Sequence, residues 1–253
     1  MKRTGVVLIA LLSAFRLVAQ DDRQLAVHLS DPDKPFTLSV NIGRAAINVS
    51  GYEGKDVLIQ VEKHESNRQG SPEVTASEKN NEVTVKASNG EAITLNIKVP
   101  RTTGIFKLSS VNGGRMMVSD VTGNLELQNR SGGITALYIS GTVVASTVSG
   151  SVIVSFKQVD QGAAMAFSTV SGSMYITFPA TLKANLKVKS DNSKVYSDFE
   201  LAGDPAHPQT LKAQRDGSYR TQADDWIYGR VGGGGPEMLI KNTTGNIYIR
   251  KAR

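Results

Sequence analysis

One short pattern recurs through the second half of the chain and limits what the chain can fold into. Residues Ser146–Phe156 align with Ser168–Phe178, and seven of the eleven positions are identical. Looser copies are Ser110–Val118, Gln128–Ile134 and Lys241–Arg250. In these copies polar residues and a glycine precede apolar residues, an order that is typical of a turn followed by a short strand.

The glycines of these copies are evenly spaced. The first five are 10, 9, 9 and 9 residues apart and the sixth follows after 22; they are Gly113, Gly123, Gly132, Gly141, Gly150 and Gly172. Two units therefore make a period of 18–20 residues, which is typical of solenoids, because one short strand cannot bury its apolar face alone. We predict a solenoid-like stack of short strands (β-helix or β-roll type) with Gly turns. A β-sandwich with hairpins of similar length is the alternative.

The rest of the chain also alternates with a period of two. Clear examples are Leu25–Leu29, Phe36–Val40, Val57–Val61 and Ile93–Val99. This pattern predicts half-buried strands, so we expect an all-β protein. Residues 62–82 are polar and predict a long hairpin tip or an exposed insertion, and residues 200–236 predict a second irregular excursion.

The N-terminus reads as a targeting segment. Two basic residues precede an apolar run of 11 residues, Gly5–Phe15, and the small Ala19 precedes a polar stretch. This order predicts a signal peptide over residues 1–19 with cleavage near Ala19 or Gln20. An uncleaved membrane anchor or a buried N-terminal helix are the alternatives. No later stretch predicts a transmembrane span, so we expect an exported protein in the periplasm, on the outer surface or secreted.

Cleavage changes the apparent charge of the chain. The 253 residues hold 29 basic and 23 acidic side chains, a net charge of +6. Residues 1–19 contain three of the basic ones and no acid, so the mature chain has 26 basic side chains and a net charge of +3. We expect residues 20–253 to form a single all-β repeat domain. Its part 20–100 forms an N-terminal cap or a first half, and 101–253 the repeat region.

The composition excludes several chemistries. The chain has no cysteine, and its three histidines, His28, His64 and His207, are far apart. No zinc-ligand spacing and no Gly-x-Ser-x-Gly elbow occur, and a strand pattern follows Gly232–Gly235 where a phosphate loop needs a helix. We therefore expect no catalytic residue, no metal and no cofactor. Basic residues look scattered and aromatic residues are only 6%, so we expect no nucleic-acid partner.

One loop offers a candidate ligand surface. It contains Asp224, Asp225, Trp226 and Tyr228. Aromatic rings can stack on a sugar while carboxylates accept hydrogen bonds from its hydroxyls. The alternative, which we favour at this stage, is that Trp226 is a packing anchor at the end or side of the stack.

The repeated [Ser/Thr/Asn]-x-[Ser/Asn/Thr]-Gly units, the signal segment and the ending at residues 232–250 together resemble the bacterial putative adhesin family with DUF4097-type β-strand repeats. The resemblance covers residues 100–250 best. It implies an exported solenoid-like protein of the cell envelope or surface and carries over no catalytic residue.

Two functions remain open from the sequence. The first is a non-enzymatic, adhesin-like scaffold that binds a polymer, a membrane component or a protein of the envelope or surface. The second is an exported polysaccharide-acting enzyme built on a β-helix, which requires clustered acids, or clustered Arg and Lys, on one face. Between residues 101 and 199 only five acids occur, so we favour the first.

Overall fold

The computed structural model describes residues 13–18, 24–63, 73–87, 92–112, 114–191, 193–208, 218–219 and 226–253. Every regular element in these ranges is a β-strand, so the all-β prediction is confirmed. The described residues accordingly include no helix with the length and apolar character needed to cross a bilayer.

The strands are short, with one exception, β12. They are β1 Ser13–Val18, β2 Gln24–His28, β3 Phe36–Ile42, β4 Ala45–Tyr52, β5 Asp56–Lys63, β6 Glu73–Lys79, β7 Glu82–Ala87, β8 Ile93–Pro100, β9 Gly104–Ser110, β10 Met116–Ser119, β11 Thr122–Ser131, β12 Ile134–Ser149, β13 Val152–Val159, β14 Met165–Ser171, β15 Met174–Phe178, β16 Ala184–Ser190, β17 Val195–Ser197, β18 Ala202–Gly203, β19 Ser218–Tyr219, β20 Ile227–Val231, β21 Glu237–Thr244 and β22 Ile247–Lys251.

Most strands belong to two parallel ladders. The first ladder runs in the order β7, β3, β9, β11, the second half of β12, β14, β21 and β16. The second ladder runs in the order β8, β4, β10, the first half of β12, β13, β15, β22 and β17. Residues that align in the sequence are direct neighbours in space, since Ser146 faces Ser168 and Thr147 faces Thr169.

Antiparallel strands close both ends of the ladders. At the C-terminal end β20 pairs with β16 and β18, and β19 pairs with β17. At the N-terminal end β5 pairs with β2 and β8, and β6 pairs with β7. The outermost strands β18 and β19 have only two residues each, which leaves little edge for pairing with another chain.

The two ladders share one core. Buried and exposed side chains alternate along β11 because successive side chains of a strand point to opposite faces. Phe156 and Phe178 of the second ladder stack with ring centroids 5.2 Å apart. Phe167 of the first ladder meets Phe178 edge-on at 6.4 Å. The inward rows of both ladders therefore pack against each other in a single hydrophobic cluster.

Glycines occupy the corners where the chain passes between ladders. Gly132 has a φ of 123°, a conformation that only glycine adopts readily. A Cβ atom at this position would lie 2.5 Å from the carbonyl oxygen of Gly114 in the preceding corner. Both the dihedral angle and the close backbone approach therefore require glycine, which explains the regular spacing of this residue in the sequence.

A row of buried polar side chains runs beside these corners. Thr147 Oγ1 donates to the carbonyl of Gly132, and Thr169 Oγ1 donates to that of Gly150, both over 2.9 Å. Asn129 makes the equivalent bond to Gly114 over 3.0 Å. Ser110 and Asn242 occupy the same row, where Ser110 Oγ donates to Ala45 and Asn242 Nδ2 to Gly172 and Gly245. Ser149 and Ser171, the serines next to the corner glycines, are exposed, so the buried bonds to the corners are made by the threonines.

The polar segment 62–82 differs in part from its prediction. Residues 73–79 are not part of an exposed tip but form β6, where Val74 and Ala76 are buried in the core. The intervening residues 64–72 lie outside the described ranges. β6 also pairs with β1 in the uncleaved chain, so residues 13–18 of the predicted signal segment are extended in this structure.

Candidate functional site

The outward side of β16 and β20 carries a cluster of cations and aromatic rings. Tyr228 lies in β20 and Trp226 immediately precedes that strand. β16 pairs with β20 in antiparallel register and places Lys187 opposite Tyr228. Lys187 and Lys189 alternate with the buried Leu186 and Val188. The alternation that builds the core therefore also turns both lysines outward.

The lysine ammonium groups lie over the rings. Lys187 Nζ is 4.9 Å from the ring centroid of Trp226 and 5.9 Å from that of Tyr228. Lys189 Nζ is 5.8 Å from the Trp226 centroid. These distances are within the range in which a cation is attracted to the negative face of a π system. We call Lys187, Lys189, Trp226, Tyr228 and His207 the cation–aromatic cluster.

His207 adds a third ring to the cluster. Its imidazole stacks on Tyr228 with centroids 3.9 Å apart and planes 7° from parallel. Asp204 holds this ring through a 2.8 Å bond between Oδ2 and Nδ1. The hydrogen bond with His207, together with that from the backbone N–H of Ala206, holds the pKa of Asp204 below its usual value. Asp204 therefore stays ionised at neutral pH and fixes the histidine against the tyrosine.

Lys241 extends the positive charge to the next strand. It lies in β21, directly opposite Lys189 in β16, and is exposed. Asp191 is the acid paired with Lys189, at 3.6 Å. Three lysines thus stand on adjacent outward positions of two neighbouring strands. Together with the rings, they suit a ligand that is negatively charged and has a flat apolar side.

The structure describes two of the four residues of the predicted ligand surface. Trp226 and Tyr228 are brought together with the lysines, while Asp224 and Asp225 lie outside the described residues. Trp226 is half-buried and contacts the outward lysines. The other described histidine, His28, pairs with Asp56 at 2.8 Å on the opposite end of the molecule, and His64 is outside the described ranges. No group of three or more described His, Asp or Glu side chains is arranged to share a metal ion.

A second aromatic feature lies on the outward face of the second ladder. Tyr175, Tyr248 and Tyr196 stack in register with centroids 4.8 Å and 5.0 Å apart. Arg250 lies 5.0 Å from the Tyr248 ring. Because the ring faces cover one another, this row stabilises the C-terminal strands and presents mainly ring edges to solvent.

A shallow groove of about 460 Å³ runs along the corner formed by β11, β12 and β13. Polar side chains line it, including Asn124, Ser140, Gln158 and Asp160. Asp160 Oδ1 accepts a hydrogen bond from the backbone N–H of Gly162. The described residues that line the groove include no aromatic and no basic side chain, so it lacks the features that the cation–aromatic cluster has.

Sequence reasoning identified the rings of the cluster and missed its cations. Lys187, Lys189 and Lys241 look scattered in the sequence because two lie in β16 and one lies some fifty residues later in β21. The alternation Lys187-Val188-Lys189 indicates that both lysines face outward. Only the parallel pairing of β16 with β21 adds Lys241.

The chain matches no family model and no curated protein. Among solved structures it is similar to a putative cell adhesion protein from Clostridium sporogenes ATCC 15579, with 12% identity, a TM-score of 0.45, and coverage of 95% of this chain and 100% of that one. It is also similar to a putative adhesin from Parabacteroides merdae ATCC 43184, with 10% identity, a TM-score of 0.23, and 96% coverage of both chains. Both scores are too low to assign this chain to their families.

Proposed function

We propose that this chain is a non-enzymatic, exported protein of the bacterial cell envelope or surface that binds an extracellular polymer. The observation that supports the proposal is the cation–aromatic cluster on the outward side of β16 and β20. Lys187 lies beside two rings there, and Lys189 and Lys241 stand next to it. A sheet face with rings and cations at one end suits a long ligand that lies on the surface.

Binding is tested by retention on immobilised extracellular polysaccharides. We expect Trp226→Ala and Lys187→Gln to weaken binding by about tenfold, because each removes one side of the cation–ring contact. Tyr175→Ala is the matched control, since it removes an aromatic side chain, 41% exposed, from the second ladder. Equal loss in the control, or no retention of the wild-type chain, contradicts the proposal. Trp226→Phe, with circular dichroism of each variant, separates lost binding from lost folding.

We further propose that the ladders are the two walls of a β-solenoid, in which each turn of the chain lies on the preceding one. In-register parallel neighbours 18 residues apart, such as Gly123 and Gly141, support this architecture. Ser146 and Ser168 face each other, and Ser168 Oγ donates to Ser146 Oγ over 2.9 Å.

The absence of cysteine from the chain makes this architecture directly testable. The double variant Ser146→Cys, Ser168→Cys should oxidise to an intramolecular disulfide, because parallel neighbours about 4.8 Å apart fall within disulfide geometry. Gln128→Cys with Ser168→Cys is the control pair, since β12 lies between these positions and no bridge should form. A bridge in the control alone, or in neither pair, is incompatible with the stacked arrangement.

Export is proposed from the N-terminal segment. We expect the chain expressed in a bacterial host to leave the cytoplasm and to begin near Gln20, as checked by cell fractionation and N-terminal sequencing. A chain without residues 1–19 should stay in the cytoplasm. Retention of residues 1–19 in the exported protein contradicts cleavage.

The non-enzymatic assignment is tested on the same polysaccharides. We expect no release of reducing ends or unsaturated products over long incubation. Turnover that disappears in Asp224→Ala or Asp225→Ala favours the second hypothesis, an exported polysaccharide-acting enzyme.

A further inference from the structure

We propose that the polymer is an acidic polysaccharide, a chain of uronic acid or similarly charged sugars, that lies across the strands of the first ladder. The inference rests on the proposed function and names its ligand class. It comes from two parallel rows of outward side chains that lead into the cation–aromatic cluster.

The first row is polar. Strand register places its members on successive strands from β11 to the start of β20. They are Gln128, Ser146, Ser168, Lys241, Lys189 and Trp226. The first three carry hydroxyl or amide groups that hydrogen-bond to sugar hydroxyls, the next two carry positive charge, and the last is an aromatic ring.

The second row is apolar until it reaches the cluster. Val144, Ala166 and Leu239 are neighbours on β12, β14 and β21, and Lys187 and Tyr228 continue the row. Val144 is 43% exposed. A pyranose ring has a C–H face and a rim of hydroxyls. A sugar chain can therefore place its C–H faces on the apolar row and direct its hydroxyls to the polar row.

The spacing of the rows fits a regular polymer. Neighbouring strands are about 4.8 Å apart, so the polar row extends over about 24 Å from Gln128 to Trp226. One strand spacing is close to the advance of an extended glycan per sugar. Successive sugars therefore meet successive strands, with polar contacts from β11 to β14 and cationic or aromatic contacts from β21 to β20.

Charge selects an acidic chain over a neutral one. Neither row contains a carboxylate from β12 to β20, and Glu126, the β11 neighbour of Val144, lies at the end of the rows away from the lysines. The lysines occupy three neighbouring positions. Asp191 pairs with Lys189. Lys187 and Lys241 add positive charge at the aromatic end and have no ion pair with an acid among the residues that the structure describes. Residues 180–253 hold 12 basic and 8 acidic side chains in total. A strip of two rows suits a linear chain better than an anionic membrane, which needs a broad basic face.

The test compares acidic polymers with uncharged forms of the same backbone. Affinities of the purified chain are measured for polygalacturonate, alginate and hyaluronate, each beside its carboxyl-reduced form. We expect at least one acidic polymer to bind about tenfold more tightly than its reduced form and to weaken as salt rises. Lys241→Gln should lower the affinity for that polymer about fivefold. Lys98→Gln, an equal charge loss on the exposed side of β8 in the second ladder, should leave it unchanged.

The outcomes separate the two proposals. Equal binding of acidic and reduced polymers, with sensitivity to Trp226→Ala, overturns the acidic ligand and leaves the proposed function standing. No binding of any polymer overturns both. The inference is also overturned if the protein binds phosphatidylserine vesicles or single-stranded DNA through the same lysines and as tightly as it binds the polymers.

The direction in which the polymer crosses the strands has its own test. Ser168→Asp places a carboxylate beside Lys241 within the polar row and should lower affinity for the acidic polymer at least about tenfold, more than Lys241→Gln does. Oligomers of increasing length should bind more tightly until they span the row from Trp226 to Gln128. Two results would contradict a ligand that lies across the strands. One is an affinity that is already maximal for a disaccharide, and the other is a Ser168→Asp variant that binds as tightly as wild type.

Discussion

The N-terminal region, β2 to β8, and the repeat region, β9 to β15, use strands of the same alternating kind but connect them differently. In the repeat region every pairing between its strands is parallel. In the N-terminal region β5 pairs antiparallel with β2 and β8, and β6 with β7. Alternation therefore predicts that a segment is a strand, but the connection decides which strand becomes its partner.

The two kinds of connection have different chemistry. Between β6 and β7 the chain reverses through Asn80 and Asn81, with φ angles of 54° and 62°, which is the conformation of a tight hairpin turn. In the repeat region a glycine such as Gly132 turns the chain into the other ladder without reversing it within the same sheet. The regions also differ in charge, since residues 20–100 hold 9 basic and 12 acidic side chains whereas residues 101–179 hold 5 basic and 3 acidic ones.

Replacing a corner glycine should give the largest effect. Gly132→Ala introduces a Cβ 2.5 Å from a backbone oxygen at a φ of 123°, so we expect the free energy of unfolding to fall by about 3 kcal/mol. Chemical denaturation measures the change. Gly162→Ala, where the new Cβ lies 3.4 Å from the Asp160 carboxylate, is the control and should change stability by less than about 1 kcal/mol. Similar effects at both positions would show that the corners are not special.

The stability of the N-terminal hairpin of β6 and β7 should depend on an acidic side chain, whereas that of the corners depends on glycine. Glu78 is buried, and its Oε1 accepts hydrogen bonds from the N–H and hydroxyl of Ser30 and from the N–H of Asn81. Glu78→Ala removes all three acceptor contacts and should lower the free energy of unfolding by about 2 kcal/mol. Glu78→Gln keeps an oxygen and should cost about half as much. An unchanged denaturation midpoint in Glu78→Ala would remove this distinction between the regions.

The polar row beside the corners should contribute less per residue. Thr147→Val removes the hydrogen bond to Gly132 and leaves a partly buried carbonyl without that donor, so we expect a loss of about 1.5 kcal/mol. Thr135→Val, a change on the outward side of the same strand, should stay within about 0.5 kcal/mol. If the two variants unfold alike, the buried threonine has no more than a space-filling role.

The smallest expected effect is a pH dependence at the C-terminal end. Burial of the Asp198 carboxyl raises its pKa, but donation by the Lys251 N–H and the Arg250 guanidinium outweighs this, and the pKa lies below the usual 3.8. A carboxyl whose pKa is lower in the folded than in the unfolded state stabilises the fold at any pH above its unfolded-state pKa. This contribution is lost as the pH falls through the folded-state pKa. Thermal unfolding should therefore show Asp198→Asn less stable than wild type at neutral pH, with the difference vanishing in strong acid. A difference that persists in strong acid contradicts this origin.

The sequence was most informative where local chemistry decides the structure. Alternation in Ile93–Val99 and the glycine spacing predicted strands and corners, because side-chain direction and φ are local properties. The role of Thr147 was missed because its acceptor belongs to another corner, 15 residues earlier. The strand β6 was missed because its outward residues are so polar that they hid the buried Val74 and Ala76.

The candidate site could be predicted only in part for a related reason. Trp226 and Tyr228 stand out in one short segment. Lys241 joins them through the pairing of β16 with β21, a relation that depends on how the chain passes over itself. A cluster made across neighbouring strands becomes visible only once the register is known.

The direct pairing of near-identical segments has a consequence for how such a chain can change over time. Ser146–Phe156 and Ser168–Phe178 are neighbours strand against strand, so each of them offers nearly the same surface to whatever lies next to it. Duplicating or deleting the 22 residues from the start of one such segment to the start of the next leaves a similar surface exposed to the adjoining strands, and the termini need not rearrange. The length of the molecule, and with it the reach of its outward rows, can then evolve in whole steps by tandem duplication while the two ends keep their own sequences.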